Sequence, residues 1–243
     1  MEFSLSQLSW HYFKGNEVNA SLLQKICLFR SYVLFDSGFR QNFSQLGSDF
    51  GDIQYTDFES YHIIATAGEE ILGTVRVTPP SGKTVALTVL GYEDYNSLIQ
   101  LLNTTPDKIL EINRLMIDSR VRKLNLGRTL MYASMALMEN VWNRSEMTII
   151  GSAGNCTKQA KFFLDYTDYE KIPGVSDRFA SNFNDHITFL KYANPPYQKG
   201  AEQIEEFKKS LKRINHRHEH NFRTSLSQDY QIHPGPNLLQ NPL

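Results

Sequence analysis

KILEINRLMIDSRVRKLNLGRTLMYASMALMENV, residues 108–141, is the stretch that decides the fold. Its first part, residues 109–117, is a short and largely apolar run with β-branched residues, which predicts a strand. A basic loop follows the strand. Gly127 then opens a segment whose apolar residues recur at helical spacing, which predicts a helix. The stretch is therefore a strand, a basic turn and a helix in direct succession.

The junction between this strand and this helix is suited to binding an anion. The first N–H groups of a helix have no partner inside the helix, and its N-terminal end carries a partial positive charge. Glu111 lies on the strand that leads into the junction, and it is our first candidate for a general base. Asp118, at the end of the strand, is the second candidate for this role.

A resemblance to a known family rests on these residues. Arg122-x-x-Asn125-x-Gly127 resembles the Arg/Gln-x-x-Gly-x-Gly/Ala signature of the GNAT acyltransferase fold, with Asn125 in place of the first glycine. Asparagine tolerates a positive φ better than other non-glycine residues, so the turn can persist. EINRLMID, residues 111–118, also resembles the Glu-x-x-Arg strand of the N-acyl homoserine lactone synthases and N-acyl amino acid synthases. The resemblance implies an α/β (α+β) fold, a mixed central sheet flanked by helices.

Further matches to these synthases occur in the same order along residues 21–192. A first helix, residues 20–35, contains Arg30, and a loop with Asp52 and Asp57 follows it. A predicted hairpin with strands at 61–65 and 71–77 then contains Arg76 and ends at Pro79 and Pro80. The resemblance implies that acceptor-binding residues lie here and on the strand that follows: Arg30, Asp57, Arg76 and Arg114.

The resemblance also implies where an acyl thioester donor binds. Backbone groups at the end of the 109–117 strand would pair with the amides of pantetheine, and the turn would hold phosphate, with Gly127 leaving space for it. Many acetyltransferases have a tyrosine acid on a later helix, where this chain has Phe162 and Phe163. The expected donor-binding residues are Leu115, Met116, Ile117, Arg122, Lys123, Leu124, Asn125, Leu126, Gly127, Arg128 and Asn155.

Weaker patterns predict the other elements. Residues 1–19 are interpreted as a docking arm, and residues 84–90 as a second hairpin arm followed by a helix at 95–102. A strand at 147–152, a helix at 157–166, a strand at 186–192 and a polar helix at 198–214 complete the series. We expect a GNAT-like domain over residues 1–197, and a polar helix with a flexible tail over residues 198–243.

Composition narrows the class of protein. The chain has 243 residues, 41% of them hydrophobic, which is enough for a sizeable core. The formal net charge of −1 gives no reason to expect a nucleic-acid partner. No run approaches the ~20 apolar residues of a membrane span, and Cys27 and Cys156 suit a reducing compartment, so we expect a cytoplasmic protein. The alternating His216, His218 and His220 lie in a polar tail, and we expect neither a metal site nor a permanently bound cofactor.

The function implied is transfer of an acyl group, medium or long, from acyl-CoA or an acyl carrier protein to an amine. The acceptor is expected to be an amino acid or a peptide Lys or ornithine side chain. Met131, Met135 and Met138, with Phe162 and Phe163, are candidates for the lining of a flexible acyl pocket, although such residues more often belong to the core. Two alternatives remain open: an acetyl-CoA-dependent N-acetyltransferase, and an inactive module that binds an acyl group or a carrier protein.

Overall fold

The computed structural model describes residues 4–39, 52–80, 83–143, 146–181, 183–193 and 200–214. Its strands are β1 (Ser9–Lys14), β2 (Tyr61–Ala67), β3 (Glu70–Thr78), β4 (Ile109–Ile117), β5 (Thr148–Gly154), β6 (Tyr169–Lys171), β7 (Arg178–Ala180), β8 (Asp185–Tyr192) and β9 (Lys212–Arg213). Its helices are α1 (Ala20–Asp36), α2 (Thr56–Glu59), α3 (Val85–Leu101), α4 (Leu126–Val141), α5 (Gln159–Tyr166) and α6 (Ala201–Ser210). In this described part, no helix combines the length and the apolar character needed to cross a bilayer.

All nine strands form one mixed sheet in the order β6-β8-β5-β4-β3-β2-β1-β9, with β7 also beside β8. β4 runs parallel to β5, and β1 runs parallel to β9, whereas the other pairs are antiparallel. The helices α4, α5 and α6 bury their apolar residues against one face of the sheet. α1 and α3 cover the other face. The predicted fold class, a mixed sheet flanked by helices, is confirmed.

Elements with strong periodicity were predicted well. β4 has the predicted bounds, and α1, β2, β3, α4, β5, α5 and β8 begin within two residues of their predicted starts. The β2–β3 hairpin turns at Gly68, whose φ of +59° favours glycine at that position. α6 is shorter than predicted and ends at Ser210.

The predicted hairpin arm at residues 84–90 is wrong, because this segment begins the helix α3. The β-like composition is overridden by side chains that accept the first N–H groups of the helix. Thr84 Oγ1 accepts from Leu87 N at 3.0 Å, and Glu111 accepts from Val85 N and Ala86 N at 2.6 and 3.0 Å. A capped N-terminus with a carboxylate against it stabilises the helix. The helix is interrupted at Gly91, where φ is +77°.

Both ends of the described chain belong to the folded unit. Residues 9–14, within the predicted docking arm, form β1 and pair with β2. α6 packs against α4 and adds Ile204 and Phe207 to the core. β9 then lies beside β1 at the edge of the sheet. The predicted tail from residue 215 onward, which contains the three alternating histidines, lies outside the described residues.

A β-bulge in β4 shapes the site. Thr74 of β3 pairs with Met116, but Arg76 pairs with Asn113, so Arg114 and Leu115 together stand opposite a single residue of β3. Arg114 has a φ of +55°, which is uncommon for a non-glycine residue. Before and after Arg114, the side chains of β4 alternate regularly between the two faces of the sheet. The bulge removes only the Arg114 side chain from this alternation.

Beyond the bulge, β4 separates from β5. The two strands pair from Ile109 with Thr148 to Ile112 with Gly151, and no further pair follows among the described residues. β5 continues beside β8 instead, up to Gly154. The result is a wedge-shaped opening between two parallel strands, and the backbone of β4 past the bulge lines it.

Candidate active site

The wedge opens into a cleft of about 540 Å³, here called the wide cavity. One wall is formed by residues 115–117 of β4, and the other by the start of α5 with Thr157, Lys158 and Gln159. The apolar residues Val33 and Leu34 of α1 close one side. The cavity therefore offers an apolar floor beside a length of strand backbone that has no strand partner on that side.

Basic residues and the predicted turn lie at the wide cavity. Asn125 has the predicted left-handed conformation, with a φ of 56°, and stands immediately before α4. Arg128 Nε is buried and has no hydrogen-bond partner in the part of the chain that the structure describes, while its guanidinium lies 5.5 Å from the centre of the Tyr166 ring. Arg122 donates to Ser37 Oγ at 2.5 Å. Together with Lys158 these side chains give this part of the cavity a positive character, which suits a phosphate-bearing ligand.

The predicted donor-binding residues fall into two groups. Seven of the eleven line the wide cavity: Leu115, Met116, Ile117, Arg122, Asn125, Gly127 and Arg128. The other four do not line it. Lys123 is exposed, Leu124 is partly buried, and Leu126 is in the core. The side chain of Asn155 donates to Asp177 at 3.0 Å and accepts from Thr188 at 3.1 Å.

The space around Gly127 is limited by two apolar side chains. A Cβ placed there would first meet Ile117 Cδ1 and Phe162 Cζ, each at 3.0 Å. That Gly127 leaves space for a phosphate stays a prediction, and the close approach of these two side chains is a further constraint on this position. Phe162 lines the wide cavity, whereas Phe163 is buried in the core.

The three methionines of α4 do not line an acyl pocket in the described structure. Met131, Met135 and Met138 are at most 2% exposed and belong to the core between α4 and the sheet. The cavity that Met131 and Met135 touch is about 10 Å³, too small for an acyl chain. The core interpretation therefore holds at these positions, and the apolar wall of the wide cavity comes from α1 and β4.

A second cavity of about 50 Å³, here called the narrow cavity, continues from the wide one. The two share Leu34, Met116, Thr157 and Gln159 as lining residues. Arg114 also lines the narrow cavity, and its Nη1 pairs with Asp52 Oδ2 at 2.7 Å. Its Nη2 is buried and makes no hydrogen bond with any residue that the structure describes. Burial lowers the pKa of Arg114 to about 10, so the guanidinium is still charged at neutral pH.

The other predicted acceptor-binding residues lie behind Arg114, fully buried in an ion-pair network. Asp57 accepts from Arg30 Nη1 and Nη2 at 2.8 Å each, and from Arg76 Nη1 at 2.7 Å. Arg30 Nε also lies 3.3 Å from Asp52. Burial by itself raises the pKa of Asp57, but the two arginines hold it far below its usual range. None of Arg30, Asp57 and Arg76 lines either of these two cavities.

Glu111 is a further buried carboxylate of the site, in addition to Asp185, which lines the narrow cavity and accepts from Cys156 N at 2.9 Å. The partners of Glu111 among the described residues are neutral: Val85 N, Ala86 N, Asn113 Nδ2 at 2.8 Å and Ser152 Oγ at 2.5 Å. Burial raises its pKa, and the hydrogen bonds offset this only in part. Glu111 itself is fully buried, whereas Ser152 lines the narrow cavity.

Asp118 lies away from both cavities. It caps the short 3-10 turn Ser119–Leu124 by accepting from Arg120 N at 2.9 Å. It also accepts from the Arg120 side chain, which extends to Glu70. These contacts hold Asp118 as part of the turn that leads into α4.

Sequence reasoning did not find two polar residues of the site. Gln159 lines both cavities, and its Nε2 donates to the carbonyl of Leu115 at 2.7 Å across the opening between β4 and β5. Ser152 lies at the point where β5 leaves β4. Neither residue is part of a motif, because both acquire their place from the separation of the strands.

No protein-family model and no curated protein sequence matches the chain. Solved structures do match. BjaI, a CoA-dependent acyl-homoserine lactone synthase solved with MTA, superposes with a TM-score of 0.58 at 11% identity, over 86% of this chain and 94% of that one. An acyl-CoA N-acyltransferase from Pseudomonas aeruginosa gives 0.51 at 14% identity, over 76% of this chain and 99% of that one. The fold is therefore the GNAT fold, as predicted.

Proposed function

We propose that this protein is an N-acyltransferase that moves an acyl group from a thioester of CoA or of a carrier protein to the amine of an amino acid. The observation that carries the proposal is the meeting of two cavities across the separated strands β4 and β5. The wide cavity has the features of a donor site, and the narrow cavity contains a buried cation with an unused donor. The fold shared with acyl-homoserine lactone synthases and acyl-CoA N-acyltransferases supports this assignment.

The donor would lie along β4 in the wide cavity. Its pantetheine amides would bond to the free backbone edge at residues 115–117, and its phosphates would lie near Arg122, Arg128 and Lys158. The carbonyl of Leu115 already accepts a hydrogen bond from Gln159 Nε2. When the donor binds, this carbonyl either loses that hydrogen bond or accepts a second one beside it. The donor's thioester would then reach the lining shared by the two cavities.

The acceptor would lie in the narrow cavity with its carboxylate on Arg114. Within the described ranges the Nη2 group is buried without a hydrogen-bond partner. A buried unpaired donor is unfavourable, so an acceptor oxygen there would be bound strongly. Phe183 lies under the guanidinium at 5.0 Å and fixes its plane. Arg30, Asp57 and Arg76 would act indirectly, by holding Asp52 and Arg114 in place.

The acyl chain would lie against the apolar wall of the wide cavity, formed by Val33, Leu34 and Met116. Each buried methylene contributes ~0.8 kcal/mol to binding before ordering losses. We therefore expect medium or long acyl donors to be preferred to acetyl. A donor series from acetyl to palmitoyl with one acceptor held fixed measures this preference, and a rate that falls steadily with length would leave an N-acetyltransferase.

The test of the acceptor compares an amino acid with the amine that lacks only its carboxylate, for instance phenylalanine and phenylethylamine. Acylation is measured as thiol release from the donor, and the product is identified by mass spectrometry. We expect the amino acid to be acylated faster. Arg114→Gln should raise its KM roughly 10- to 100-fold, the scale of a charged hydrogen bond worth ~1.5–3 kcal/mol, and leave the amine unaffected.

Arg213→Gln is the matched control, because Arg213 makes an exposed ion pair with Glu17 at the far edge of the sheet. It should leave both rates unchanged. Equal rates with the two acceptors would contradict the assignment of Arg114. Absence of thiol release with every donor and acceptor would contradict acyl transfer itself and leave an inactive binding module.

A further inference from the structure

We propose that Ser152 relays the proton of the acceptor ammonium group to Glu111. The inference rests on the proposed function and adds to it a catalytic residue that touches the acceptor. It starts from a difficulty in the site: Glu111 is the base that the sequence indicates, yet it is fully buried and lines neither the wide nor the narrow cavity.

The hydrogen bonds of Glu111 also oppose a direct proton transfer from the acceptor. Oε1 accepts from Ala86 N and Ser152 Oγ, and Oε2 accepts from Val85 N and Asn113 Nδ2. Among the described residues, these four donors occupy the lone pairs of the carboxylate. A proton that arrived directly from the acceptor would have to displace one of them and leave a buried N–H or O–H unpaired, which is unfavourable.

Only one of the four donors can reverse its role. A backbone N–H cannot accept a proton, and neither can the amide nitrogen of Asn113. The orientation of that amide is also fixed, because its Oδ1 accepts from Arg76 Nε at 2.6 Å. The hydroxyl of Ser152 can donate and accept alike. When its proton passes to Glu111 Oε1, the new O–H donates back to Ser152 Oγ, and every group keeps a partner.

Ser152 also has the position that a relay needs. It is 8% exposed and lines the narrow cavity, while its Oγ lies 2.5 Å from Glu111 Oε1. The O–H···O distance is at the short end of the range for charge-assisted bonds. Burial raises the pKa of Glu111, which brings the carboxylate closer to the basicity that proton transfer near neutral pH requires.

The reaction then balances as follows. One ammonium proton moves to Ser152 Oγ while the serine proton moves to Glu111 Oε1, which frees the nitrogen lone pair. The nitrogen attacks the thioester carbonyl, the C–N bond forms and the C–S bond breaks. The second proton lost by nitrogen goes to the departing thiolate. After the amide leaves, the proton on Glu111 returns through Ser152 to solvent.

The first experiment uses Ser152→Ala, Glu111→Gln and the double variant in the full chain. We expect each single variant to lower kcat by ~10²-fold, the usual scale for general base catalysis, with the KM of the donor unchanged. The double variant should be no slower than the slower single variant, because both residues act on the same proton. Ser134→Ala, a buried serine that bonds to its own helix, is the matched control and should keep full activity.

The pH profile provides a readout that a structural role would not affect. In the wild type, kcat should rise with pH as Glu111 ionises and then reach a plateau. In Ser152→Ala the plateau should be lost, because hydroxide or buffer must take the proton instead. A Ser152→Ala variant with the wild-type kcat and pH profile would overturn the relay while acyl transfer stands.

A second measurement needs no variant. A relay moves two protons in one step, so the single-turnover rate of the wild type in mixtures of light and heavy water should depend on the deuterium fraction along a curve. A straight line indicates a single proton and overturns the relay. Failure of the wild type to acylate any amine would overturn the proposed function and the relay with it, which is a different result from either of these.

Discussion

Asp57 and Glu111 are both fully buried carboxylates within the same site, yet their pKa values move in opposite directions. Burial favours the neutral form of both. Asp57 faces two guanidinium groups, and these hold its pKa far below the usual range. Glu111 faces neutral donors, and its pKa rises. The charge of the partners, and not their number, separates a carboxylate that stays ionised from one that can take a proton.

The largest effect on stability is expected when the Asp57 carboxylate is removed. Asp57→Asn leaves Arg30 and Arg76 buried without their shared carboxylate, and we expect a loss of ~3–5 kcal/mol in the free energy of unfolding. Urea denaturation measures it. The control is Asp94→Asn, which breaks an exposed pair with Arg178 of 2.6 Å and should change stability little. Similar losses in the two variants would mean that the Asp57 network contributes no more than a surface ion pair.

The next largest effect is expected in the pH dependence of the free energy of unfolding. Burial lowers the pKa of His62 to about 4, from an ordinary value of 6.5. The unfolded chain therefore binds a proton first as pH falls, and the stability contributed by the neutral His62 is full above pH 6.5 and is lost between 6.5 and 4. The maximum loss is about 3 kcal/mol, from ~1.4 kcal/mol per pKa unit.

His62→Gln isolates this contribution, because the opposite pH dependence of Glu111, whose pKa is raised, is common to both proteins. We expect the variant to lose less stability than the wild type between pH 6.5 and 4, as measured by urea denaturation at a series of pH values. Parallel curves for the two proteins would show that the pKa of His62 is the same in the folded and the unfolded state. His186→Gln, at a largely exposed position on β8, is the control.

The smallest effect on stability should come from Asn113, which joins the two carboxylate networks. Its Oδ1 accepts from Arg76, and its Nδ2 donates to Glu111. Asn113→Asp gives Arg76 a charged partner and takes a donor from Glu111, so the free energy of unfolding should change by only about 1 kcal/mol. The added negative charge should raise the pKa of Glu111 and move the rise of kcat to higher pH.

The measurement is the pH dependence of kcat, with Asn140→Asp as the control, since Asn140 is exposed and bonds to Lys208 O on α6. An unchanged profile in Asn113→Asp would mean that Glu111 does not control turnover. A profile shifted to lower pH would contradict the expected effect of the added charge on Glu111.

The main elements could be predicted from the sequence because each has a long local pattern. The turn at Asn125 could be predicted as well, since only a few residue types adopt a positive φ. Residues 84–90 could not, because their β-like composition is overridden by Glu111, which is 26 residues away from Val85. Ser152 lies 41 residues from Glu111, and no local pattern joins such partners.

The β-bulge in β4 also has no local pattern in the sequence, and this limited the prediction of the site. Strict alternation from residue 109 places Glu111, Asn113 and Leu115 on one face of β4. In the structure Leu115 faces the α4 core, and Met116 takes the next place on the face of Glu111. Nothing in the sequence marks Arg114 as the residue left out, because arginine is an uncommon choice for a positive φ.

The position of Arg114 outside the alternation of β4 has a consequence for how such a chain can evolve. Without Arg114, Asn113 would be followed by Leu115, and the remaining residues of β4 would alternate with the same faces inward. A one-codon deletion should thus leave the alternation of β4 and its core faces unchanged. Under the proposed function, a chain with this architecture could therefore change the group that meets the acceptor at this position while the pairing of the sheet is kept.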